Sequence, residues 1–331
     1  MSIALASPQG DAAPLPDPPV MLAPMAGITD LPFRRLVARF GAGRVVSEMV
    51  ASQELLASRP GVREKAELGA DVEGTAVQIA GRDAQAMAET ARRVTDMGAR
   101  IIDINMGCPA KKVTGGYSGS ALLRDPDHAL RLIEAVVAAV DVPVTLKTRL
   151  GWDDACTNAG LLAQRAQCAG IALLTIHGRT RCQFYKGPAD WAAIARIAQP
   201  LDIPVIANGD IVDADTARRA LAASGAQGVM IGRAAQGQPW LLAQVAHALW
   251  GHPAPHVPQG HDLIHMISEH YEAMLGFYGK TLGARVARKH LGWYMDRAGT
   301  EPALRREVLT ATPSAVLAYL PQAICAQKQA A

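Results

Sequence analysis

Four runs in the second half of the chain decide its architecture: PVTLKTR at 143–149, IALLTIH at 171–177, IPVIAN at 203–208 and GVMIG at 228–232. Each is rich in Val, Ile and Leu, is followed by Gly or polar residues, and gives way to an Ala/Arg-rich stretch of helical composition. Continuous apolar runs of this length are what strands buried on both faces of a parallel sheet look like. Working outward, the same unit recurs upstream at Val20–Ala26, Arg44–Met49, Thr75–Ala80 and Ile101–Met106. Strand starts fall 24 to 42 residues apart, which leaves room for a crossover helix each time. Asp83–Met97 carries apolar or small residues at helical spacing, and Asp125–Val140 opens on Asp-Pro. Eight strand–helix units predict an α/β protein, a closed (β/α)8 TIM barrel over residues 20–250. An open doubly wound sheet is the rival, but no Gly-x-Gly-x-x-Gly follows the first strand.

The pattern stops near Gly251. His252–Gly260 reads as a Pro/His-rich linker, and helices without strands are expected at His261–Tyr278, Gly283–Arg297 and Pro302–Tyr319. Residues 251–331 are therefore expected to form a small all-α helical domain, and residues 1–19, rich in Ala and Pro, a loose leader.

Composition narrows the setting. Half of the 331 residues are hydrophobic, enough for a large core, yet no apolar stretch approaches the ~20 residues a bilayer needs. Five cysteines (Cys108, Cys156, Cys168, Cys182 and Cys325) form no Cys-x-x-Cys pair, which argues against a disulfide framework or a zinc ribbon. No metal is expected. The first basic residue is Arg34, so the N-terminus lacks the charged region of a secretory or transit signal, and the reducing cytoplasm is the expected compartment. A net charge of +3 neither requires nor excludes a nucleic-acid partner. A monomer is the expected state.

In a barrel, functional groups gather where strands end. Strand one ends Ala23-Pro24-Met25-Ala26-Gly27; Gln78 lies in strand three, Lys147 and Arg149 in strand five, and His177 ends strand six. An ammonium inside a barrel needs an anion or a strong acceptor, which makes Lys147 the least ordinary of these. Strand seven ends Asn208-Gly209-Asp210 and strand eight Gly232-Arg233, at the two loops that often bind phosphate in barrels. A phosphorylated cofactor with a polar heterocycle, gripped by Gln78 and Lys147, suggests flavin mononucleotide (FMN). The loop after strand four, Asn105-Met106-Gly107-Cys108-Pro109-Ala110-Lys111-Lys112, places a thiol at the barrel mouth, suited to act as nucleophile or as proton donor. In the tail, Arg285, Arg288 and Lys289 share a helix face beside Trp293 and Tyr294, a pattern suited to RNA phosphates.

Taken together, the strings APMAGITDLPFR (23–34), VSEM (46–49), VQIAGRD (77–83), IIDINMGCPAKKV (101–113) and GSALL (119–123) resemble the tRNA-dihydrouridine synthases, closest to the bacterial B-type branch. VPVTLKTRLGW (142–152), TIHGRTR (175–181), IPVIANGDI (203–211), MIGRAAQGQPW (230–240) and RVARKHLGWY (285–294) extend the likeness, which runs from about residue 20 to 295. The resemblance implies an FMN barrel with a helical tRNA-binding domain, reducing the C5–C6 bond of tRNA uridines with NADPH or NADH. It places flavin contacts on Pro24, Met25, Ala26, Gln78, Lys147, His177, Asn208, Gly209, Asp210, Gly232 and Arg233, and the catalytic cysteine on Cys108. Asn105 and Arg179 match positions near the uracil or the RNA, and Arg181 joins the tail cations as a possible tRNA contact. One departure is TGGYS at 114–118, where relatives more often carry a charged stretch ending in Ala before Gly119. For Cys108 to donate a proton, neither Lys111 nor Lys112 should contact its sulfur, because an adjacent ammonium favours the thiolate. A small-molecule FMN oxidoreductase of the dihydropyrimidine or dihydroorotate dehydrogenase type, and a non-catalytic tRNA-binding flavoprotein, are the alternatives.

Overall fold

The computed structural model describes residues 15–57 and 75–325. Nine strands form one parallel sheet: β1 (Val20–Leu22), β2 (Arg44–Val45), β3 (Val50–Ala51), β4 (Ala76–Ala80), β5 (Ile101–Met106), β6 (Val144–Arg149), β7 (Leu173–His177), β8 (Val205–Asn208) and β9 (Gly228–Ile231), in the order β2-β1-β9-β8-β7-β6-β5-β4-β3. The sheet closes on itself. β9 pairs with β1 through Met21 and Met230, and across the remaining gap Val46 bridges Ala76 of β4. The expected barrel is therefore present.

Two strands differ from the sequence expectation, each for a local reason. The second, Arg44–Met49, breaks into β2, the Val46 bridge and β3. At the break the Ser47 hydroxyl accepts the Gln78 N–H at 3.0 Å, replacing a ladder bond with a side-chain one. The first stops at Leu22 rather than Ala26, because Pro24 has no N–H and the Met25 N–H is taken by Thr29 Oγ1 at 2.9 Å.

Side-chain alternation inside the ring positions the site. Residues facing the surrounding helices, among them Val77, Ile79, Ile102, Ile104, Leu146, Leu174 and Ile176, are uniformly apolar and pack with the helices. Inward-facing residues change character along each strand. Met21, Val46, Ala76, Ile101, Leu173, Ile206 and Met230 plug the N-terminal end. Two residues further on stand Gln78, Asp103, Thr175 and Asn208, and beyond them Asn105 and His177. The barrel is apolar and filled below, polar above.

Five Asp residues start the outer helices by accepting a backbone N–H in the first turn: Asp30, Asp83, Asp125, Asp190 and Asp213, for helices Leu31–Arg39, Ala84–Asp96, Pro126–Val137, Trp191–Ala198 and Ala214–Ser224. After helix Leu241–Trp250, residues 251–259 form no regular element, as expected of the linker. The tail has four helices: Gly260–Tyr278, Lys280–Ala298, Pro302–Thr310 and Pro313–Cys325. The single helix expected over Pro302–Tyr319 is interrupted because Pro313 offers no N–H and disfavours a helical residue before it.

This helical region docks on the barrel through helix Leu31–Arg39. Leu36 and Trp240 share a cluster with Met266, Ile267, Tyr271, Leu291 and Met295. Helix Lys280–Ala298 reaches the mouth itself. Lys289 donates from Nζ to the Gly27 carbonyl after β1. Gly237, after β9 and at φ 72°, lies so close that a Cβ there would sit 2.7 Å from the Trp293 carbonyl oxygen. Among the described residues, no helix is long and apolar enough to cross a membrane, and no cluster of His, Cys, Asp or Glu could hold a metal ion.

Candidate active site at the barrel mouth

A chain of hydrogen bonds climbs the barrel interior and ends at the cysteine. Asp103 accepts from Thr145 Oγ1 at 2.6 Å and from Gln78 Nε2 at 2.7 Å. Burial pushes its carboxyl up to about 6, against the pull of those two bonds. Gln78 Oε1 accepts from Asn105 Nδ2 at 2.8 Å, and Asn105 Oδ1 accepts the backbone N–H groups of Gly107 (3.2 Å) and Cys108 (3.0 Å). That turn fixes where the thiol leaves the strand. From the other side, the Cys108 carbonyl accepts from Ser120 N at 3.1 Å and Ser120 Oγ at 2.8 Å.

Two cations stand over this loop. Arg149, 2% exposed, donates from Nε to the Gly107 carbonyl at 2.8 Å and from Nη1 to the Thr180 and Phe184 carbonyls, both at 2.9 Å. Lys147 donates to Asn208 Oδ1 at 3.0 Å, and Asn208 in turn donates to the Met230 carbonyl at 2.8 Å. Burial lowers the Lys147 ammonium to about 8; Arg149 adds to this, while Asp103 and Cys108 oppose it. It is thus still mainly charged at neutral pH. Lys111 and Lys112 are exposed. Cys108 is among the groups that raise the Lys147 and Arg149 cations, against the burial that lowers both.

His177 is held neutral, well below its usual range, by burial and then by Lys147, Arg149, Arg179 and Arg233. Gly209, at φ 116°, passes so near that a Cβ would lie 2.9 Å from the His177 ring. A Cβ on Gly232 would lie 3.5 Å from Ala23 Cβ and 3.7 Å from Met25 Sδ, so the β9 exit lies beside the β1 loop carrying Pro24, Met25 and Ala26. Gln78, Lys147, His177 and Asn208, together with these glycine exits, therefore converge on one mouth.

Other expected residues are placed differently. Arg179, 2% exposed, gives Nη2 to Asp210 Oδ2 at 2.6 Å and to the Gly187 carbonyl, and Nη1 lies 3.2 Å from His177 Nε2. Asp210 also accepts from Ala189 N at 2.7 Å, so these two side chains brace the 186–189 loop, Arg179 buried and Asp210 half-buried. Arg181 lies over the Trp152 ring at 4.6 Å, with Arg124 at 5.0 Å from the same ring. In the tail, Arg285 and Arg288 are exposed, whereas Lys289 is half-buried in its bond to Gly27.

Two residues were missed in the sequence. Asp103 is a carboxylate inside an apolar strand, and that anomaly in IIDIN was the available signal. Tyr185, 50% exposed, lies 5.0 Å from the Arg233 guanidinium, 5.6 Å from that of Arg149 and 6.5 Å from the His177 ring. Nothing in its spacing marks it.

A family model described as dihydrouridine synthase (Dus) matches residues 21–329. The chain belongs to this family. It is 63% identical over 317 residues to a Rhodobacter capsulatus protein named "Probable tRNA-dihydrouridine synthase", covering 95% of this chain and 97% of that one. It is 50% identical over 276 residues to the Pseudomonas syringae protein named "tRNA-dihydrouridine synthase B", covering 83% and 82% respectively. The family match continues through the last helices, correcting the reading that resemblance ends near residue 295. Among solved structures, histamine dehydrogenase from Rhizobium sp. 4-9 aligns at a TM-score of 0.52 and 15% identity, covering 68% of this chain and 45% of that one. At that identity the likeness speaks for the fold alone.

Proposed function

We propose that the chain reduces the C5–C6 double bond of uridines in tRNA, with FMN bound in the mouth, NADPH or NADH as reductant, and Cys108 as proton donor. The observation that carries the reading is the convergence at one strand-end mouth of Cys108, Lys147, Arg149 and His177, in a member of the dihydrouridine synthase family. Residues 20–250 are assigned the chemistry and 251–331 the RNA. The setting is the cytoplasm.

The donor set fits FMN. Lys147 and Arg233 offer positive charge to an anionic cofactor, and Gln78, Asn208 and neutral His177 offer hydrogen bonds to a polar ring. Gly209 and Gly232 keep the backbone bare where strands eight and nine exit. Pro24, Met25 and Ala26 form the facing wall, with Asp210 tying the Gly209 exit to the 186–189 loop and Trp191 donating to the Gly209 carbonyl at 2.9 Å. Reduced FMN, when bound, supplies a hydride for C6 of the uracil ring.

Hydride addition at C6 leaves negative charge at C5, conjugated with the C4 carbonyl. The Cys108 thiol gives its proton to C5 and becomes a thiolate, which Lys147 and Arg149 stabilise until solvent returns the proton. Asn105 positions the thiol through the backbone N–H of Cys108. Because a stacked uridine cannot reach the mouth, it must swing out of the RNA at a cost of a few kcal/mol, offset by contacts elsewhere. Arg285 and Arg288 are exposed on the helix that Lys289 anchors beside the mouth, and Arg181, over the Trp152 ring, lies in the loop after β7.

The test is nucleoside mass spectrometry of unmodified tRNA incubated with the protein and NADPH. A gain of two hydrogens on uridine is expected. Cys108→Ala should keep FMN and its reduction by NADPH while uridine reduction falls ~10²- to 10⁴-fold. Equal uridine turnover by the variant rules out the proton-donor role.

A further inference from the structure

The segment Thr114–Ser118 runs into Gly119, which packs directly on Cys108. A Cβ on Gly119 would sit 2.9 Å from the Cys108 carbonyl oxygen and 3.3 Å from its Cβ. Tyr117 is two residues away, so its Cα lies within about 7 Å of Gly119. The segment carries two glycines and an aromatic ring that is 41% exposed.

That ring is held in place. Tyr117 has φ 60°, a backbone region that a bulky residue rarely occupies. Its neighbours Gly115 and Gly116 could take such a conformation without strain, yet neither does. Of the three non-glycine residues with positive φ among the described ones, the other two, Phe184 and Asp210, both border the mouth. Arg82 fixes the segment by donating to the Gly116 carbonyl at 3.3 Å. The Arg82 carbonyl lies 2.9 Å from His128 Nε2, and the His128 ring backs Tyr117 at 6.2 Å. Strain of this kind, kept in an exposed loop beside a reactive group, points to a contact made outside the chain.

The surroundings say which. Arg82, Lys111, Lys112, Arg124 and Arg131 are all exposed around this loop, and among the described residues none is in an ion pair. The neighbouring acids are engaged: Asp83 and Asp125 cap helices, and Asp127 pairs with Arg165 at 2.7 Å. An exposed aromatic among cations that form no ion pair with a carboxylate among the described residues is the arrangement that takes single-stranded nucleic acid, with phosphates on the cations and a base on the ring.

We propose that Tyr117 is a stacking platform for a nucleotide flanking the target uridine, holding the strand splayed while that uridine enters the mouth. The inference rests on the tRNA reading above and adds a contact on the opposite side of Cys108 from the tail helices. Stacking on one aromatic corresponds to about 5- to 150-fold in affinity.

The experiment measures binding of unmodified tRNA to the FMN-loaded protein and to Tyr117→Gly and Tyr117→Phe variants at several salt concentrations. Glycine adopts φ 60° freely, so Tyr117→Gly removes the ring without disturbing the loop. It should bind tRNA about 5- to 150-fold more weakly, with the salt slope unchanged because no phosphate contact is lost. Tyr117→Phe should bind like the parent, and all three should hold equal FMN. Parental binding by Tyr117→Gly overturns the platform alone, as does a Tyr117→Phe variant as weak as the glycine one, which would mean the hydroxyl makes the contact. A parent protein that binds no tRNA overturns both this inference and the uridine-reductase reading.

Discussion

Replacing His290 with phenylalanine isolates one buried imidazole at the joint between barrel and tail. His290 is 2% exposed and packs among the rings of His270 (4.8 Å), Phe33 (5.0 Å) and Trp293 (5.1 Å). Neither ring nitrogen has a hydrogen-bond partner among the described residues. Burial, and then His270 and Lys289, hold the ring neutral, well below the usual histidine range. The unfolded chain takes up a proton near pH 6.5 and the folded one does not. Stability present above that pH is therefore lost as the pH falls toward the folded value. For one such group the loss is about 1 kcal/mol between pH 6.5 and 5.5, approaching about 1.4 kcal/mol per unit below that. Phenylalanine has no proton to gain. Removing two unpartnered nitrogens and adding a larger ring shift stability by amounts that do not depend on pH. Asp30 and Asp103, raised to about 6, carry the opposite sign and act equally in both proteins. Urea unfolding of the two proteins at pH 7.5, 6.5, 5.5 and 4.5 should show a gap widening in favour of His290→Phe as the pH falls. Parallel profiles refute the reasoning.

Arg285→Ala with Arg288→Ala should weaken binding of unmodified tRNA and reduce the magnitude of its salt slope by about 1 to 2, with FMN retained; an unchanged slope removes this face from the interface. Gly237→Ala asks a β-carbon to occupy a left-handed site 2.7 Å from the Trp293 carbonyl oxygen. It should cost at least the ~1–2 kcal/mol of the backbone term and expose the tail to limited proteolysis, whereas a parental digestion pattern would mean the tail docks elsewhere. Arg149→Met leaves the carbonyls of Gly107, Thr180 and Phe184 without their donor and should cost about 3 kcal/mol or more. Arg149→Lys should rescue little, since one ammonium lacks the planar fork that reaches three carbonyls; thermal unfolding at parental temperature in either variant contradicts this.

Strand–helix recurrence made the barrel legible because parallel strands must be joined by crossover helices of fairly regular length. Ladder detail was not legible: the break at Ser47 depends on which N–H its hydroxyl meets, and only the closed ring decides that. The mouth was legible where chemistry is out of place in a strand, as with Lys147 and His177. Reading the strands as unbroken apolar runs hid the inner face. Ile101, Asp103 and Asn105 grade from oily to polar at every second residue, and the interleaved Ile102, Ile104 and Met106 masked that change. Arg179 was placed near the uracil or the RNA by resemblance alone; its partners in the fold, Asp210 and the Gly187 carbonyl, lie 31 and 8 residues away, and no spacing rule connects them. Lys289 was grouped with Arg285 and Arg288 by helical spacing, yet the carbonyl that holds it is 262 residues earlier.

The docking of helix Lys280–Ala298 bears on the order in which the molecule assembles. Its two anchors on the barrel, the Gly27 carbonyl and the bare backbone of Gly237, follow β1 and β9, the first and last strands of the ring. These anchors come within reach of one helix only after β9 has zipped onto β1. The tail can seat only on a finished ring, so it works as a latch across the seam where the two ends of the sheet meet. A nascent chain, or one whose seam has reopened, presents half a landing place. Seating of the tail helices is thereby tied to completion of the barrel mouth.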